Sequence, residues 1–341
     1  MIDIKRSRYV NQIAEEWLDM VKKFFNDSCR PYIELSLRKR RYFNSYAQKL
    51  KYECLRVVFD YAKDRRLKKA YMAKLDYWWK HIDGIILANP NVMDTQIKKW
   101  KKKKIGDIML LKVLSPVLVS YYDNVSKKYG RDLVDKLNIK TCPYCNRQFI
   151  YTFNGRAPER PELDHFYPKA DYPLFCLSFY NLIPACHSCN HVKSEEEIGI
   201  NPYYRAFKRK FVITDKSGNI LTKSQIYKLT EKEIRLNFNG NDVAEEANVS
   251  VLGLKNVYNK HTDYVKELID KSMAYDANAR KALVESFQGT GYHPRQVYDF
   301  VWGRHLMEAE YEDRPLSKLT KDILDLLDIR SCLLYTSPSP R

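Results

Sequence analysis

The chain has 341 residues, of which 45% are hydrophobic, and a net charge of +17 that comes from 59 Lys and Arg against 42 Asp and Glu. This length and composition predict a globular protein of two or three domains with a sizeable core. The sequence shows no apolar stretch long enough to span a bilayer and no signal-peptide segment at its N-terminus, so we expect a cytoplasmic protein without a membrane partner.

The positive charge is concentrated in the first part of the chain. Residues 1–141 contain 32 Lys and Arg against 16 Asp and Glu, whereas the remaining residues contain 27 against 26. This asymmetry predicts a module that binds a polyanion, because cationic side chains that neutralise phosphates release condensed counterions. Nucleic acid is the favoured partner, and a membrane surface is the alternative.

Apolar residues recur at helical spacing along the N-terminal part of the chain. One stripe contains Val10, Ile13, Ala14, Trp17, Leu18, Val21, Phe24 and Phe25, a second contains Leu50, Cys54, Val57, Val58 and Tyr61, and a third contains Leu67, Tyr71, Leu75, Trp78 and Ile82. We therefore predict a basic helical domain over residues 1–137. Because Cys54 falls on an apolar face, we interpret it as an ordinary buried thiol.

A run of lysines lies in the second half of this domain. It contains Lys98, Lys99, Trp100, Lys101, Lys102, Lys103 and Lys104, and it follows Asn-Pro-Asn, so we expect it to begin near a turn or a helix start. Such a run is either a solvated helix face or a patch that contacts phosphates, and we predict contact with nucleic acid. Trp100 could stack on a base, although a tryptophan flanked by lysines is more often packed within its own domain.

Four cysteines in two Cys-x-x-Cys pairs follow the helical region. They are Cys142, Cys145, Cys186 and Cys189, and four thiolates at this spacing can complete a tetrahedral structural zinc site. Since the chain lacks an export signal, zinc is favoured over disulfides. The 40 residues between Cys145 and Cys186 exceed the spacing of a plain zinc ribbon. The sequence therefore predicts a functional insert between the two pairs.

The insert carries Asp164-His165 and Asn181, and Asn190 follows the last cysteine directly. This order of residues resembles the HNH endonucleases, also called ββα-metal nucleases, and is similar to zinc-knuckle HNH proteins of bacterial anti-phage defence. The resemblance covers residues 138–205 and implies a strand pair and a helix that bind one divalent ion. We expect an α+β fold, mainly α, with this zinc-stapled core between the basic helical domain and a small sheet plus helices over residues 206–330.

The resemblance also implies a role for each motif residue. His165 matches the general base that activates water, and Asn181 matches the residue that holds the hairpin and the base in orientation. Asp164 and Asn190 match the ligands of the catalytic ion, for which oxygen donors favour Mg²⁺ or Mn²⁺. The family usually has histidine where this chain has Asn190, and His191 is its rival as a ligand. Lys193 is predicted either to contact phosphate or to solvate the surface.

The implied activity is metal-dependent hydrolysis of phosphodiester bonds, in DNA rather than RNA. Similar proteins act as defence effectors, some with a partner ATPase. A histidine suits the role of base because its pKa lies near neutrality. Asp164 and His165 would face opposite sides of a regular strand, so we expect the hairpin to bend or end there. The alternatives are a non-catalytic zinc-containing module that binds nucleic acid and an RNA-cleaving toxin.

The rest of the chain predicts a small antiparallel sheet followed by helices. The strands are indicated by Phe211-Val-Ile-Thr and by the alternation of Ile234, Leu236 and Phe238. One helical stripe contains Val251, Leu254, Val257, Tyr258, His261, Val265, Leu268 and Ile269, and another contains Leu319, Ile323, Leu326 and Leu327. We interpret His261 as a satisfied core histidine. Residues 331–341 show neither periodicity nor a cap and resemble sequencing-adapter read-through, so we treat them as a suspected non-native tail.

Overall fold

The computed structural model describes residue 4 and residues 8–27, 45–62, 64–102, 106–153, 155–156 and 159–329. This part of the chain is mainly helical, with two small antiparallel sheets, which confirms a mainly α member of the α+β class. Contacts divide the chain into two compact units. The helical unit comprises Lys5–Asn138 and Thr152–Glu197, and the C-terminal unit comprises Met1–Ile4, Ile139–Tyr151 and Ile198–Arg341.

The division after Asn138 lies one residue from the predicted boundary at 137, and the predicted boundaries at 205 and 330 stay predictions. The segment that carries the cysteine pairs, residues 138–205, contributes to both units. The suspected tail over residues 331–341 lies outside the described residues.

The helical unit contains seven helices and one strand pair among its described residues. The helices are α1 (Arg8–Asn26), α2 (Tyr46–Tyr61), α3 (Arg65–Lys80), α4 (Ile82–Ile86), α5 (Pro90–Lys102), α6 (Gly106–Leu137) and α7 (His187–Lys193). Every residue of the first predicted apolar stripe is buried, so the prediction of α1 is confirmed. Side-chain caps fix the starts of α2 and α3, where Ser45 accepts from the Gln48 amide and Asp64 accepts from the Arg66 amide.

Helix α6 corrects the expectation that no stretch of the chain is long enough to cross a membrane. Its residues Ile108–Leu137 meet that condition by length and apolar composition, and 33% of the most apolar window is buried. Helices α1, α2 and α5 pack against α6, whose second half carries Lys127, Lys128 and Arg131. One such helix is weak evidence for a membrane span, because the core helix of a soluble protein meets the same condition.

Two short strands and α7 bring the motif residues together. Strand β1 (Glu162–His165) pairs antiparallel with β2 (Leu182–Ala185), and α7 begins two residues after β2 ends and packs on β1. The strand ends at His165, which confirms the expectation that the hairpin ends at the Asp-His pair.

Two buried tryptophans hold the segment between these strands. The Trp17 Nε1 donates to the carbonyl of Leu177 at 2.9 Å. The Trp100 ring stacks on Phe175, with ring centroids 5.3 Å apart, and meets Trp78 edge-on. The turn over Pro173–Phe175 and the residues after it are therefore anchored on helices that lie far earlier in the chain.

The C-terminal unit contains the predicted small sheet. Strand β3 (Phe211–Ile213) pairs antiparallel with β4 (Leu236–Phe238). The described helices are α8 (Lys223–Ile226), α9 (Val243–Val251), α10 (Leu254–Tyr258), α11 (Thr262–Ala274), α12 (Ala277–Ser286), α13 (Pro294–Trp302) and α14 (Ser317–Leu326). The sheet and the last helix are as predicted.

The long stripe from Val251 to Ile269 is divided among three helices and does not form one. The φ of Gly253 is +59°, which favours glycine and separates α9 from α10. His261 then precedes α11 and is half-buried, where it accepts from the Arg147 Nε at 3.0 Å. The histidine is therefore hydrogen-bonded, as predicted, but it lies at a helix junction rather than deep in the core.

Candidate functional site

The four cysteines predicted to bind zinc form one buried cluster. The Sγ atoms of Cys142, Cys145, Cys186 and Cys189 all lie within 4.8 Å of one another. Around a tetrahedral zinc ion with Zn–S distances of about 2.3 Å, sulfur atoms are about 3.8 Å apart. This group could therefore hold a structural zinc ion, and it offers no ligand other than sulfur.

Local backbone geometry presents the first two of these cysteines. The Asn146 amide donates to the Cys142 carbonyl at 2.7 Å, and the Cys142 amide donates to Gln148 at 3.0 Å. Asn146 closes this turn with a φ of +47°, a conformation that asparagine tolerates better than most residues. The residues of this Cys-x-x-Cys pair thus form a tight turn, which brings the sulfur atoms of Cys142 and Cys145 close together.

Asp164, His165 and Asn190 line a single open cleft of about 320 Å³ in the helical unit. The exposed His191 and the partly exposed Lys169 line the same cleft. The structure therefore brings three of the predicted site residues together around one space.

His165 is held in one orientation by a backbone carbonyl. Its Nε2 lies 3.0 Å from the carbonyl oxygen of Cys176, and the Tyr122 ring packs edge-on against the imidazole at 4.4 Å. Because a carbonyl oxygen can only accept, the proton is on Nε2 and the neutral ring keeps Nδ1 as its acceptor. Burial lowers the pKa of His165 to about 3, and the nearby Lys169 and Lys193 also lower it. The ring is therefore neutral at physiological pH.

Asn181 is completely buried and does not line the cleft. Its Oδ1 accepts from the Tyr167 amide at 2.7 Å, and its Nδ2 donates to the carbonyls of Tyr167 and Phe175 at 3.1 and 3.0 Å. These bonds join the residues after β1 to the turn that precedes Cys176. Such a position supports orientation of the site rather than contact with a substrate.

Lys193 lies inside the protein rather than on its surface. The side chain is 0% exposed, and its Nζ donates to the carbonyl of His165 at 2.7 Å and lies 3.3 Å from the carboxylate of Asp164. This burial argues against the predicted phosphate contact. The ammonium instead balances the charge of Asp164 and holds the backbone of His165.

Glu162 is a site residue that the sequence analysis did not include. Its Oε2 accepts from Asn190 Nδ2 at 2.6 Å, and its Oε1 lies 2.8 Å from His187 Nδ1. Partial burial raises the pKa of Glu162, but the hydrogen bonds from His187 and Asn190 outweigh burial, so this pKa lies below its usual value. Glu162 could have been predicted from the alternation of side chains along a strand, because residues 162 and 164 lie on the same face of β1.

The hydrogen bond that the Asn190 amide donates to Glu162 also fixes the orientation of this amide. A carboxylate only accepts, so the amide nitrogen faces Glu162 and the amide oxygen is turned away from it. His187 is exposed and hydrogen-bonded, as expected of a residue between two zinc cysteines. His191, which is exposed and stacked on His187 at 5.8 Å, stays a rival of Asn190 as a ligand.

The basic run occupies the end of α5, not the start of a helix. Lys98, Lys99, Lys101 and Lys102 are exposed, and Lys103 and Lys104 lie outside the described residues. Trp100 is 2% exposed, so the idea of base stacking is wrong and packing within its own domain is confirmed. Lys101 Nζ lies 3.5 Å from Glu197 and over the Tyr172 ring, whereas a phosphate contact by the other lysines stays a prediction.

Comparison with models of protein families and with solved structures gives no match to this chain. Part of it is similar to a phage protein. The match is to protein ea31 of Escherichia phage lambda, with 26% identity over 87 residues, which are 26% of this chain and 23% of that protein. The chain thus spans about a quarter of the length of that relative. The match assigns neither a family nor an activity, and the HNH resemblance rests on the motif residues.

Proposed function

We propose that this protein is a divalent-metal-dependent endonuclease that hydrolyses phosphodiester bonds, with DNA as its substrate and His165 as its general base. The observation that carries the proposal is the hydrogen bond from His165 Nε2 to the Cys176 carbonyl, in a cleft that Asp164 and Asn190 also line. It leaves a neutral imidazole with one defined acceptor nitrogen beside two oxygen-bearing side chains.

A neutral imidazole can accept the proton of a water that attacks phosphorus. The low pKa of His165 ensures that this ring is unprotonated before the reaction, although it also makes the ring a weak base. A phosphodiester in the cleft would add negative charge near the ring, and a nearby negative charge raises the pKa of a histidine. The Cys176 carbonyl would also stabilise the imidazolium that forms.

The oxygen donors in the cleft fit a hard cation. Asp164 and Asn190 would hold Mg²⁺ or Mn²⁺, ions that take carboxylate and amide oxygens as ligands. When bound, such an ion stabilises the negative charge that develops on the phosphate oxygens. The orientation of the Asn190 amide by Glu162 favours this role, since the amide oxygen is the atom left to serve as a ligand.

Two buried polar groups keep the base in place. Lys193 binds the His165 carbonyl, and Asn181 joins the backbone beyond β1 to the turn before Cys176. Both act on the position of the imidazole without touching the substrate. They are positioning residues, since each is completely buried.

We place the activity in the cytoplasm. None of the six described cysteines, which are Cys54, Cys142, Cys145, Cys176, Cys186 and Cys189, forms a disulfide, which is typical of a reducing compartment. A role in anti-phage defence and a partner ATPase rest on the motif resemblance alone.

The test is cleavage of supercoiled plasmid DNA and of total RNA with Mg²⁺ and with EDTA, by the wild type and by His165→Ala. Removal of the base should lower the rate by about 10² to 10⁴, the usual contribution of general acid–base catalysis, while nucleic acid and metal still bind. His81→Ala is the matched control, because His81 is an exposed histidine of the helical unit that does not line this cleft. Equal rates of cleavage for the wild type and His165→Ala would remove His165 from the mechanism. No cleavage by the wild type would leave a non-catalytic binding module, and cleavage of RNA alone would indicate the toxin.

A further inference from the structure

A second group of metal-ligating side chains lies in the C-terminal unit. Asp299 belongs to α13, His305 to the loop that follows it, and Glu310 to the turn Glu308–Asp313. One ligand atom from each residue lies within 4.8 Å of the other two. All three side chains are partly exposed, with relative accessibilities of 15%, 35% and 31%.

The distances within this group are longer than hydrogen bonds. His305 Nδ1 lies 3.8 Å from Asp299 Oδ2 and 3.7 Å from Glu310 Oε2, whereas a hydrogen bond between such atoms needs about 2.7 to 3.2 Å. Ligand atoms placed about 2.1 Å from one metal ion, at angles of about 90° to 110°, are about 3.0 to 3.4 Å apart. The two distances from His305 exceed this range by only a few tenths of an ångström, and the ligand atoms of Asp299 and Glu310 lie within 4.8 Å of each other.

The surroundings leave room for further ligands on the open side. Asp299 and His305 line a cleft of about 370 Å³ that Arg304 and Arg314 also line. An ion bound here could carry a water or an anion toward the cleft, where the two guanidinium groups favour negative charge. One imidazole and two carboxylates suit a first-row divalent ion, with zinc and manganese as the usual choices.

We propose that Asp299, His305 and Glu310 form a second metal site, which binds Zn²⁺ and shares no residue with the cysteine cluster or with the cleft around His165. The ion would join the end of α13 to the turn Glu308–Asp313 and so fix the loop between them. The competing arrangement is an imidazolium held between two carboxylates, which needs no metal. The site does not depend on nuclease activity, so it is tested by metal content and stability.

The experiment compares the zinc content of the intact chain after equilibrium dialysis against micromolar Zn²⁺. The wild type should bind one zinc ion per chain more than His305→Ala. Glu310→Gln, which keeps the shape of the side chain and removes its charge, should weaken binding of this ion by at least about tenfold. Added Zn²⁺ should raise the melting temperature of the wild type by more than that of His305→Ala, in which only the cysteine cluster is left to bind the ion, because only a folded state that binds the ion is stabilised by it.

His293→Ala is the control, since His293 is an exposed histidine of the same unit that belongs to no ligand group. It should retain the second zinc ion. Equal zinc content and an equal response of the melting temperature in the wild type, His305→Ala and Glu310→Gln would overturn the proposal and leave the imidazolium arrangement. Variants at Asp164 should keep this ion, so failure here is distinct from failure of the proposed nuclease.

Discussion

The cysteine cluster and the His165 cleft differ in what surrounds their predicted side chains. In the cluster, the four sulfur atoms lie close to one another and are all of one kind. In the cleft, each predicted side chain is bound to a group from another part of the helical unit: His165 to Cys176, Asp164 to Lys193, and Asn190 to Glu162. The spacing of the cysteines therefore predicts that their sulfur atoms lie close together. The orientation and charge of the side chains in the cleft depend instead on partners, such as the Cys176 carbonyl, Lys193 and Glu162, that the motif does not include.

The largest expected effect is the loss of the zinc cluster. Cys145→Ser or Cys186→Ser should abolish zinc binding at the cysteine cluster and unfold the surrounding region, because a structural zinc ion supplies on the order of 10 kcal/mol of folding free energy. Cys54→Ala, at a buried thiol outside the cluster, should lower the free energy of unfolding by only about 1 kcal/mol. Zinc content and thermal melting of the three variants check the prediction, which fails if the serine variants keep both.

A smaller effect is expected from the buried ion pair of the cleft. Lys193→Met leaves the Asp164 carboxylate buried without its cation and should lower the free energy of unfolding by about 3 to 5 kcal/mol. Lys169→Met removes a lysine from a partly exposed pair with Asp123 and should cost about 0 to 1 kcal/mol. Urea titration measures both.

The double variant Asp164→Asn with Lys193→Met sharpens this comparison. It removes both charges, so it should recover a large part of the stability that Lys193→Met loses. If the double variant is as unstable as the sum of its single changes, the two groups do not interact as the structure places them.

Glu162→Gln should weaken the metal site without unfolding the protein. A glutamine can donate as well as accept, so the Asn190 amide is no longer held in one orientation, and the affinity for Mg²⁺ should fall by about 10- to 100-fold. Cleavage should recover at high Mg²⁺ concentration. Glu195→Gln is the matched control, because Glu195 is an exposed carboxylate that lines the same cleft. If cleavage by Glu162→Gln depends on Mg²⁺ concentration as it does in the wild type, Glu162 does not orient a ligand of the metal ion.

The smallest effect concerns the end of α5. If Lys98, Lys99 and Lys102 contact phosphates of duplex DNA, replacing all three with Gln should flatten the slope of log affinity against log salt concentration by about 0.9 for each lost contact. Lys101→Gln should change the slope less, since its ammonium already lies near Glu197 and Tyr172. A slope that does not change in the triple variant indicates a solvated helix face.

Much of the fold could be predicted from local patterns. The first apolar stripe predicts α1 because helical spacing places its eight side chains on one buried face. The apolar run Phe211-Val-Ile-Thr predicts β3, and alternation predicts β4. The stripe around Gly253 misleads, because the apolar positions continue in phase across a residue whose backbone leaves the helix. Periodicity reports which side of a segment is buried, and it does not report whether the backbone is continuous.

The site was less predictable than the fold. Lys193 follows the cysteine pair and carries a charge, so surface exposure is the simplest expectation. Only the antiparallel pairing of β1 with β2 and the packing of α7 place its ammonium between Asp164 and the His165 carbonyl. The Cys176 carbonyl carries no side-chain signal at all, although it determines which nitrogen of His165 is protonated.

The two tryptophans that anchor the turn before Cys176 set a limit on how far the protein can be shortened. A fragment of residues 138–205 would retain every motif residue, yet it would lack Trp17, whose indole binds the Leu177 carbonyl, and Trp100, whose ring supports Phe175. In that fragment the carbonyl that orients His165 would no longer be held by its neighbours. The helices before the cysteines therefore serve as a scaffold for the imidazole, and a fragment cut at the edges of the motif would lack that scaffold.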